Sequence, residues 1–414
     1  MPQVIYHSLN LLLALPDTVI GSELAALSLV AIIVVRLYCS PAKSCQANIG
    51  DLAITLYMGL QVYTLHVSRS FPNSVHFIVP IITAACAYFS VRLLHMGGVS
   101  LVWFLRAITI IAFPIAFVDT YLLVHGIESA RIFPGEYLTA LHASLPVLGA
   151  PTRNDGLMVV LAALPYTMAS WALERARASH FQLFSLGAAT AIIAVLLLSF
   201  SRGVYMALAA FLCWIFAFMA RNRSLLCKPL GIFCLTIFGL TGGLIVSVHA
   251  QRSVADTILG SKTLSQRRSA LGRVDIWRES FSGVRQHLLL GSGGYADGYN
   301  SLARLKNSSE PFTARAYNAV IEVAESSGLL GLLAYGAFIL FPLCKAMRRL
   351  WSRQYRNNDM VSSAILTSGA LALLVRDMTY SSLVLSGITM VLAWILIGLL
   401  QNSLDQEHLI GDRL

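Results

Sequence analysis

The residues best suited to bind an anion are arginines in two polar stretches. Arg202 lies between a serine and a glycine where an apolar run begins, and Arg273 and Arg278 flank the sequence Val-Asp-Ile-Trp. A guanidinium group presents a planar fork that pairs with two phosphate oxygens at once. The nearby turn Gly-Ser-Gly-Gly, which contains Gly291 and Gly293, offers backbone N–H groups that can also bind an anion. This combination predicts a diphosphate site.

A second set of polar residues follows in the same part of the chain. Arg315 is followed by Tyr317 and Asn318, and Glu325 precedes a run rich in glycine and leucine. Each residue taken singly also fits a structural role, because an arginine can snorkel to an interface or stay solvated, and an acid is favoured at a helix start. Their occurrence on one predicted face of the protein favours the functional interpretation.

The elements that must position these residues are typical of membrane-spanning helices. The chain has 414 residues, 57% of them hydrophobic and only 12% charged, whereas a soluble domain carries about 25% charged residues. A spanning helix needs about 20 mostly apolar residues. We therefore predict an all-α, polytopic membrane protein of about twelve transmembrane helices. The predicted spans are 4–16, 22–39, 49–67, 74–94, 101–124, 155–173, 181–199, 203–220, 229–248, 326–345, 361–379 and 382–400.

The distribution of lysine and arginine predicts the orientation of these spans. The short loops after even-numbered spans carry more of these cations than the others do, which is typical of cytoplasmic loops. Both termini are then cytoplasmic, and Arg202 emerges on the outer side. The predicted organisation is nine spans in 1–248, a long, partly helical periplasmic loop in 249–325 that acts as an active-site lid, and three spans with a short cytoplasmic tail in 326–414.

Net charge and cysteine usage exclude two other classes of site. The net charge of +10 arises largely from cations in loops between apolar runs, so we expect no nucleic-acid partner. The seven cysteines lie mostly within or beside apolar runs, without paired spacing or an accompanying histidine cluster. We therefore expect neither a metal site nor a disulfide framework.

At these residues the sequence resembles a family of bacterial envelope glycosyltransferases, the O-antigen ligases and Wzy-type polymerases. The resemblance covers about 185–400, and twelve spans with a long outer loop between the ninth and tenth also resemble this family. The segments that carry it are Ser-Arg-Gly at 201–203, Arg-Val-Asp-Ile-Trp at 273–277, Leu-Leu-Gly-Ser-Gly-Gly at 289–294, Tyr-Asn at 317–318 and Glu-Ser-Ser-Gly-Leu-Leu-Gly at 325–331.

The resemblance implies a metal-independent transferase without a cofactor, facing the periplasm from the bacterial inner membrane. Its donor would be a glycan on undecaprenyl diphosphate, and its acceptor a sugar hydroxyl. Arg202 and Arg273 would bind the diphosphate and stabilise the charge on the leaving group. The other residues implied in contacts with diphosphate or glycan are Arg278, Arg315, Asn318, Gly291 and Gly293. The bilayer is a partner by necessity, and a chain-length regulator is a further partner compatible with this family.

The chain departs from the family pattern at one position. The family has a histidine before the asparagine of the outer loop, with a proposed role as general base, whereas this chain has Tyr317. Tyrosine is a poor base at neutral pH because its ordinary pKa is about 10. Glu325 and Glu322 are alternative bases, and His287 and His249 lie elsewhere in the same loop.

Several functions fit this pattern. A polymerase, which joins the glycan to another lipid-linked repeat, is slightly favoured over a ligase, which joins it to lipid A-core. A polysaccharide transporter or flippase is an alternative of another class, although carriers usually place polar groups near the middle of the membrane. A non-catalytic partner in polysaccharide assembly is a third hypothesis, because Tyr317 replaces the expected histidine.

Overall fold

The computed structural model describes eleven stretches of the chain, and all long elements in them are helices. Nine helices have 18 residues or more, and a short helical stretch occupies 280–286. The prediction of an all-α protein is confirmed for these residues. The described residues are 48–67, 71–94, 99–130, 153–176, 179–198, 202–221, 277–278, 280–291, 318–351, 359–378 and 387–411. The helices are α1 (Ile49–Val67), α2 (Phe71–Leu94), α3 (Val99–Ala130), α4 (Arg153–Ala176), α5 (Phe181–Leu198), α6 (Arg202–Arg221), α7 (Ala319–Trp351), α8 (Asp359–Asp377) and α9 (Gly387–Gly411).

These helices coincide with nine of the predicted spans, and the spans predicted at 4–16, 22–39 and 229–248 lie outside the described residues. The largest differences are at α9, which ends at Gly411 rather than near 400, and at α7, which begins at Ala319 rather than near 326. Within α4, α6 and α7 the structure has stretches long and apolar enough to cross a membrane, with shorter apolar stretches in α2, α3, α5 and α9. The chain is thus an integral membrane protein, while the count of twelve crossings stays a prediction.

Helix α4 lies at the centre of the bundle. Every side chain from 157 to 171 is buried, which is typical of a helix that is apolar on all sides. It packs against α3, α5, α8 and α9. The hydroxyl of Tyr166 donates to the carbonyl of Leu392 in α9, and Gly369 of α8 lies so close to Pro165 that a Cβ atom there would overlap the proline ring. These contacts fix the two C-terminal helices against the core.

One end of the bundle is closed by a buried polar cluster. The guanidinium group of Arg92, at the end of α2, donates to both carboxylate oxygens of Asp51 over 3.0 and 2.9 Å and to Oδ1 of Asn402 over 2.7 Å. The hydroxyl of Tyr88 donates to Asp51 over 2.7 Å. Arg92 is only 2% exposed, so the ion pair joins α1 to α2 away from water, and the bond to Asn402 adds α9. The predicted orientation places this end in the cytoplasm.

The opposite end of the bundle collects the elements that carry the predicted site. Trp214 and Phe218 of α6 pack with Leu350 of α7 and Ala364 of α8. The C-terminal parts of α6 and α7 therefore lie beside the N-terminal part of α8, so α8 runs antiparallel to both. It follows that the first residues of α6 and α7 lie at the end of the bundle where α8 terminates.

Candidate functional site

Asn318 fixes the start of α7 to the end of α8. Its side-chain oxygen accepts hydrogen bonds from the backbone N–H groups of Val320 and Ile321 over 3.0 and 3.4 Å, which is the geometry of a helix N-cap. Its side-chain amide donates to the carbonyl of Met378 over 3.2 Å. One asparagine thus both starts the helix and ties it to its neighbour.

Helix α7 is broken three turns later at Gly328. This residue has φ 65° and ψ −166°, a combination that is essentially restricted to glycine. Before the break, the hydroxyls of Ser326 and Ser327 donate to the carbonyl of Val323 over 3.2 and 2.9 Å. After the break, the first N–H groups of the second part of α7 need acceptors from outside the helix.

Those acceptors come from a short helix within the predicted outer loop. We name residues 280–291 the loop helix, because the N–H of His287 donates to the carbonyl of Gly283 over 3.2 Å and that of Gly291 to His287 over 2.9 Å. Gly291 has φ 75°, and a left-handed glycine that donates four residues back is a common helix C-terminus. Because the Gly291 amide is used in this bond, its structural role is to end the loop helix.

The loop helix and the second part of α7 are joined through their backbones. The N–H of Leu329 donates to the carbonyl of Leu288 over 2.8 Å, and the N–H of Leu330 donates to that of Leu289 over 3.2 Å. The last carbonyls of one helix and the first N–H groups of the other, which would otherwise lack partners, therefore satisfy each other. We call this arrangement the helix joint.

The helix joint requires glycine on both sides. A Cβ atom on Gly291 would overlap the carbonyl of Ser326 and lie 2.6 Å from the nitrogen of Ser327. A Cβ atom on Gly328 would overlap the carbonyl of Leu289 and lie 2.5 Å from the nitrogen of Gly291. All of these neighbours are backbone atoms, which cannot rotate away as a side chain can.

Two acidic residues lie on α7 between its N-cap and the helix joint. Glu325 is partly exposed, and its Oε1 lies 3.8 Å from the position that a Cβ atom would occupy on Gly283 of the loop helix. Glu322 precedes it by about one turn and is only 4% exposed. The more accessible carboxylate is therefore the one that faces the loop helix.

A pair of buried charged residues terminates α8 at the same end of the bundle. Arg376 is 3% exposed and Asp377 is 1% exposed, although charged side chains are rarely buried without partners. Ionisable residues within membrane helices commonly face an interior cavity or a functional site. Hydropathy does not predict the burial of these two residues, because it does not show which way a helix end faces.

The structure brings together only part of the predicted site. Gly291 lies in the helix joint, and Glu325 faces the same loop helix at Gly283. Asn318 begins α7 about three turns before the joint, and Arg278 is exposed just before the loop helix. Arg202 begins α6 at the same end of the bundle, but the structure does not describe its side chain.

Sequence analysis assigned no separate role to Gly328, although a glycine after two serines at the start of an apolar run signals a break. The remaining predicted residues, all outside the described residues, are Arg273, Arg315, Tyr317, Gly293 and His249.

The described stretches hold no group of three or more His, Cys, Asp or Glu side chains placed to bind a metal ion. Metal independence itself stays a prediction, since it concerns the reaction rather than these residues alone.

The fold and site define a helical integral membrane protein with a loop docked on one end of its bundle. Residues 187–336 match the model of the family described as O-antigen ligase. This match begins in α5 and ends in α7, so it contains Arg202, the stretch 249–325 and the helix joint. No curated protein matches the chain. The resemblance to the O-antigen ligase and Wzy-type family is confirmed, and the match supports glycosyl transfer of this general type.

Proposed function

We propose that this protein transfers a glycan from undecaprenyl diphosphate to an acceptor sugar hydroxyl during polymerisation of a surface polysaccharide. The observation that carries the proposal is the position of the family match, which runs across the start of α6, the loop helix and the first part of α7. These are the elements that gather at one end of the bundle. Ligation of the glycan to lipid A-core is the second candidate, because the family model is named for that reaction.

Arginines are the groups proposed to bind the donor. Arg202 and Arg273 are assigned to the diphosphate, with Arg278, Arg315 and Asn318 in contact with diphosphate or glycan. Charge-assisted hydrogen bonds from guanidinium groups are strong in a water-poor site, and they stabilise the negative charge that grows on the departing diphosphate. Because these cations supply that stabilisation, the proposed mechanism uses neither a metal nor a cofactor. Arg278 supports this assignment, since it is exposed beside the loop helix.

Glu325 is the general base favoured by the geometry. It faces the loop helix at Gly283 and is more exposed than Glu322, the other acid on this part of α7. In the proposed reaction the acceptor hydroxyl oxygen bonds to the anomeric carbon, the bond from that carbon to the diphosphate oxygen breaks, and the hydroxyl proton passes to Glu325. A base of this kind must lie within hydrogen-bond reach of the proton it takes. Glu322 is buried, which favours a supporting role for it.

The proposed location follows from the substrates. Lipid-linked glycans of this type are used on the periplasmic face of the bacterial inner membrane, which agrees with the predicted orientation of α6 and α7. The proposed partners are the bilayer, the lipid-linked donor, an acceptor glycan or lipid A-core, and a chain-length regulator.

Deletion of the gene, followed by gel display of the surface polysaccharide, tests the proposal. A polymerase predicts single repeats on lipid A-core in the deletion strain. A ligase predicts long glycan on undecaprenyl diphosphate together with bare lipid A-core. An unchanged polysaccharide profile would contradict both and favour transport or assembly roles.

Complementation then tests the assigned residues. Arg202→Ala and Arg273→Ala should fail to restore the polysaccharide, whereas Tyr317→Phe should restore it if Glu325 is the base. Arg348→Ala is the matched control, because Arg348 is exposed near the other end of α7. Restoration by both arginine variants at normal protein levels would refute the proposed diphosphate site.

A further inference from the structure

Exposed apolar side chains surround the helix joint. Phe281, Leu288 and Leu289 of the loop helix are 52%, 53% and 61% exposed. Leu329, Leu330 and Leu333 of α7 are 40%, 43% and 60% exposed. An apolar patch of this kind on a stable protein normally marks a contact with a membrane or another protein. We call these six residues the joint patch.

The joint patch continues the outer surface of α7. Only 50% of the apolar stretch of α7 is buried within the protein. The rest of this helix, which is long enough to cross a membrane, faces outward. Leu288 and Leu289 are held beside that surface by the hydrogen bonds to Leu329 and Leu330. The loop helix therefore presents its leucines next to a surface that already meets lipid.

The position along α7 agrees with the edge of the hydrocarbon layer. Arg348 and Arg349 lie in the last turn of the helix and are suited to the opposite interface. From Leu329 to these arginines the helix rises by about 30 Å, which is the thickness of a typical hydrocarbon core. Leu288 and Leu289, at the level of Leu329 and Leu330, thus lie where acyl chains begin.

The charges on the loop helix fit the same position. Phe281 and Leu288 are seven residues apart, so they lie on one face of a helix, and Arg285 lies between them on that face. Arg285 is exposed, and its long side chain can place its charge among lipid phosphates while its stem stays in the apolar layer. Gln286 and His287 are also exposed, which leaves polar groups on the sides of the loop helix.

We propose that the loop helix is a membrane-interfacial anchor, whose Phe281, Leu288 and Leu289 insert among the acyl chains of the bilayer that α7 crosses. The occupant of the joint patch is the hydrocarbon of membrane lipids, with Arg285 at their headgroups. The helix joint then sets the depth of the loop helix relative to the membrane surface. This proposal does not depend on the reaction that the protein performs.

The test uses full-length protein in lipid nanodiscs, with its native cysteines replaced and one environment-sensitive fluorophore attached through Leu289→Cys. Gln286→Cys is the matched control, because it is an exposed polar position in the same loop helix. We expect the label at 289 to be quenched several-fold more strongly by spin-labelled lipid than the label at 286. Aqueous iodide should quench the label at 286 more strongly than the label at 289.

Two results would overturn the proposal. Equal iodide quenching at both positions would mean that the joint patch faces water. Protection of the label at 289 from both quenchers would mean that protein covers the patch, either a second copy or another part of the chain. A label at Leu333→Cys, on the lipid-facing surface of α7, calibrates the lipid quencher and shows that the reconstituted protein is inserted.

Discussion

Gly291 and Gly328 pack backbone against backbone, each with a positive φ angle. Gly291 ends the loop helix. Gly328 breaks α7, so the first N–H groups of its second part can donate to the last carbonyls of the loop helix. The contact joins two segments that the predicted topology assigns to different parts of the protein, a hydrophilic loop and a membrane span. The helix joint therefore fixes the C-terminal end of the loop helix to α7 about one turn after Glu325.

Gly328→Ala should destabilise the protein and abolish transfer. Alanine in the conformation of Gly328 costs about 1–3 kcal/mol in backbone strain, and the added Cβ atom would overlap Leu289. Overpacking of this kind costs about 1–3 kcal/mol more. Thermal unfolding in detergent, together with polysaccharide restoration in the deletion strain, measures both effects. Gly291→Ala should behave in the same way, since it meets the backbone of Ser326 and Ser327.

Gly336→Ala is the matched control, because a Cβ atom on this glycine of the same helix meets no atom within 4 Å. It should be neutral or stabilising by up to about 1 kcal/mol, since alanine has the higher helix propensity. Equal behaviour of Gly328→Ala and Gly336→Ala would show that the helix joint does not form.

Two substitutions at Asn318 test its N-cap bonds to α7 separately from its bond to Met378. Asn318→Ala removes the N-cap and the bond to Met378, and loss of a cap costs about 1 kcal/mol. Asn318→Asp keeps an oxygen that caps α7 but cannot donate to the Met378 carbonyl. We expect the stability of Asn318→Asp to exceed that of Asn318→Ala, while both reduce transfer because the start of α7 separates from the end of α8.

The same two assays, thermal unfolding and polysaccharide restoration, decide this prediction. Full restoration by Asn318→Asp would show that the bond to Met378 is dispensable and that capping alone explains the position.

Hydropathy predicted the helices well because lipid requires long apolar segments with internally satisfied backbone groups. It could not predict the start of α7, since the first part of that helix, from Ala319 to Gly328, is mixed in polarity and depends on the cap at Asn318. The helix joint could not be predicted from the sequence either, because it depends on backbone hydrogen bonds between residues about forty positions apart. Motif spacing placed Glu325 and Gly291 among the candidate residues, but it did not predict that glycine packing would fix the loop helix against α7.

The buried ion pair between Arg92 and Asp51 should stabilise the bundle without affecting transfer chemistry. Arg92→Leu leaves the carboxylate of Asp51 without its main partner, and breaking a buried pair in this way costs about 3–5 kcal/mol. The double variant Asp51→Asn with Arg92→Leu should recover part of that loss, because no buried charge remains. Thermal unfolding measures the stabilities, and Arg348→Leu is the exposed control.

If the double variant is no more stable than Arg92→Leu, the hydrogen bonds to Tyr88 and Asn402, rather than the charge pair, supply most of the stability at this end of the bundle. Activity per folded molecule should be unchanged in all of these variants, since the cluster lies at the end of the bundle away from Asn318.

Glu325→Gln tests the proposed base directly. The variant keeps the size and hydrogen-bonding capacity of the side chain but cannot take a proton, and loss of a general base typically lowers a rate by about 10²–10⁴-fold. Donor binding and thermal stability should be nearly unchanged, because Glu325 is partly exposed. Glu322→Gln is the matched variant one turn away, and its burial predicts an effect on stability rather than on rate. The rate of glycan transfer by purified protein, measured with lipid-linked donor and acceptor, distinguishes Glu325→Gln from Glu322→Gln. Normal rates for Glu325→Gln with a large loss for Tyr317→Phe would instead assign the proton to Tyr317, the residue at the position of the family histidine.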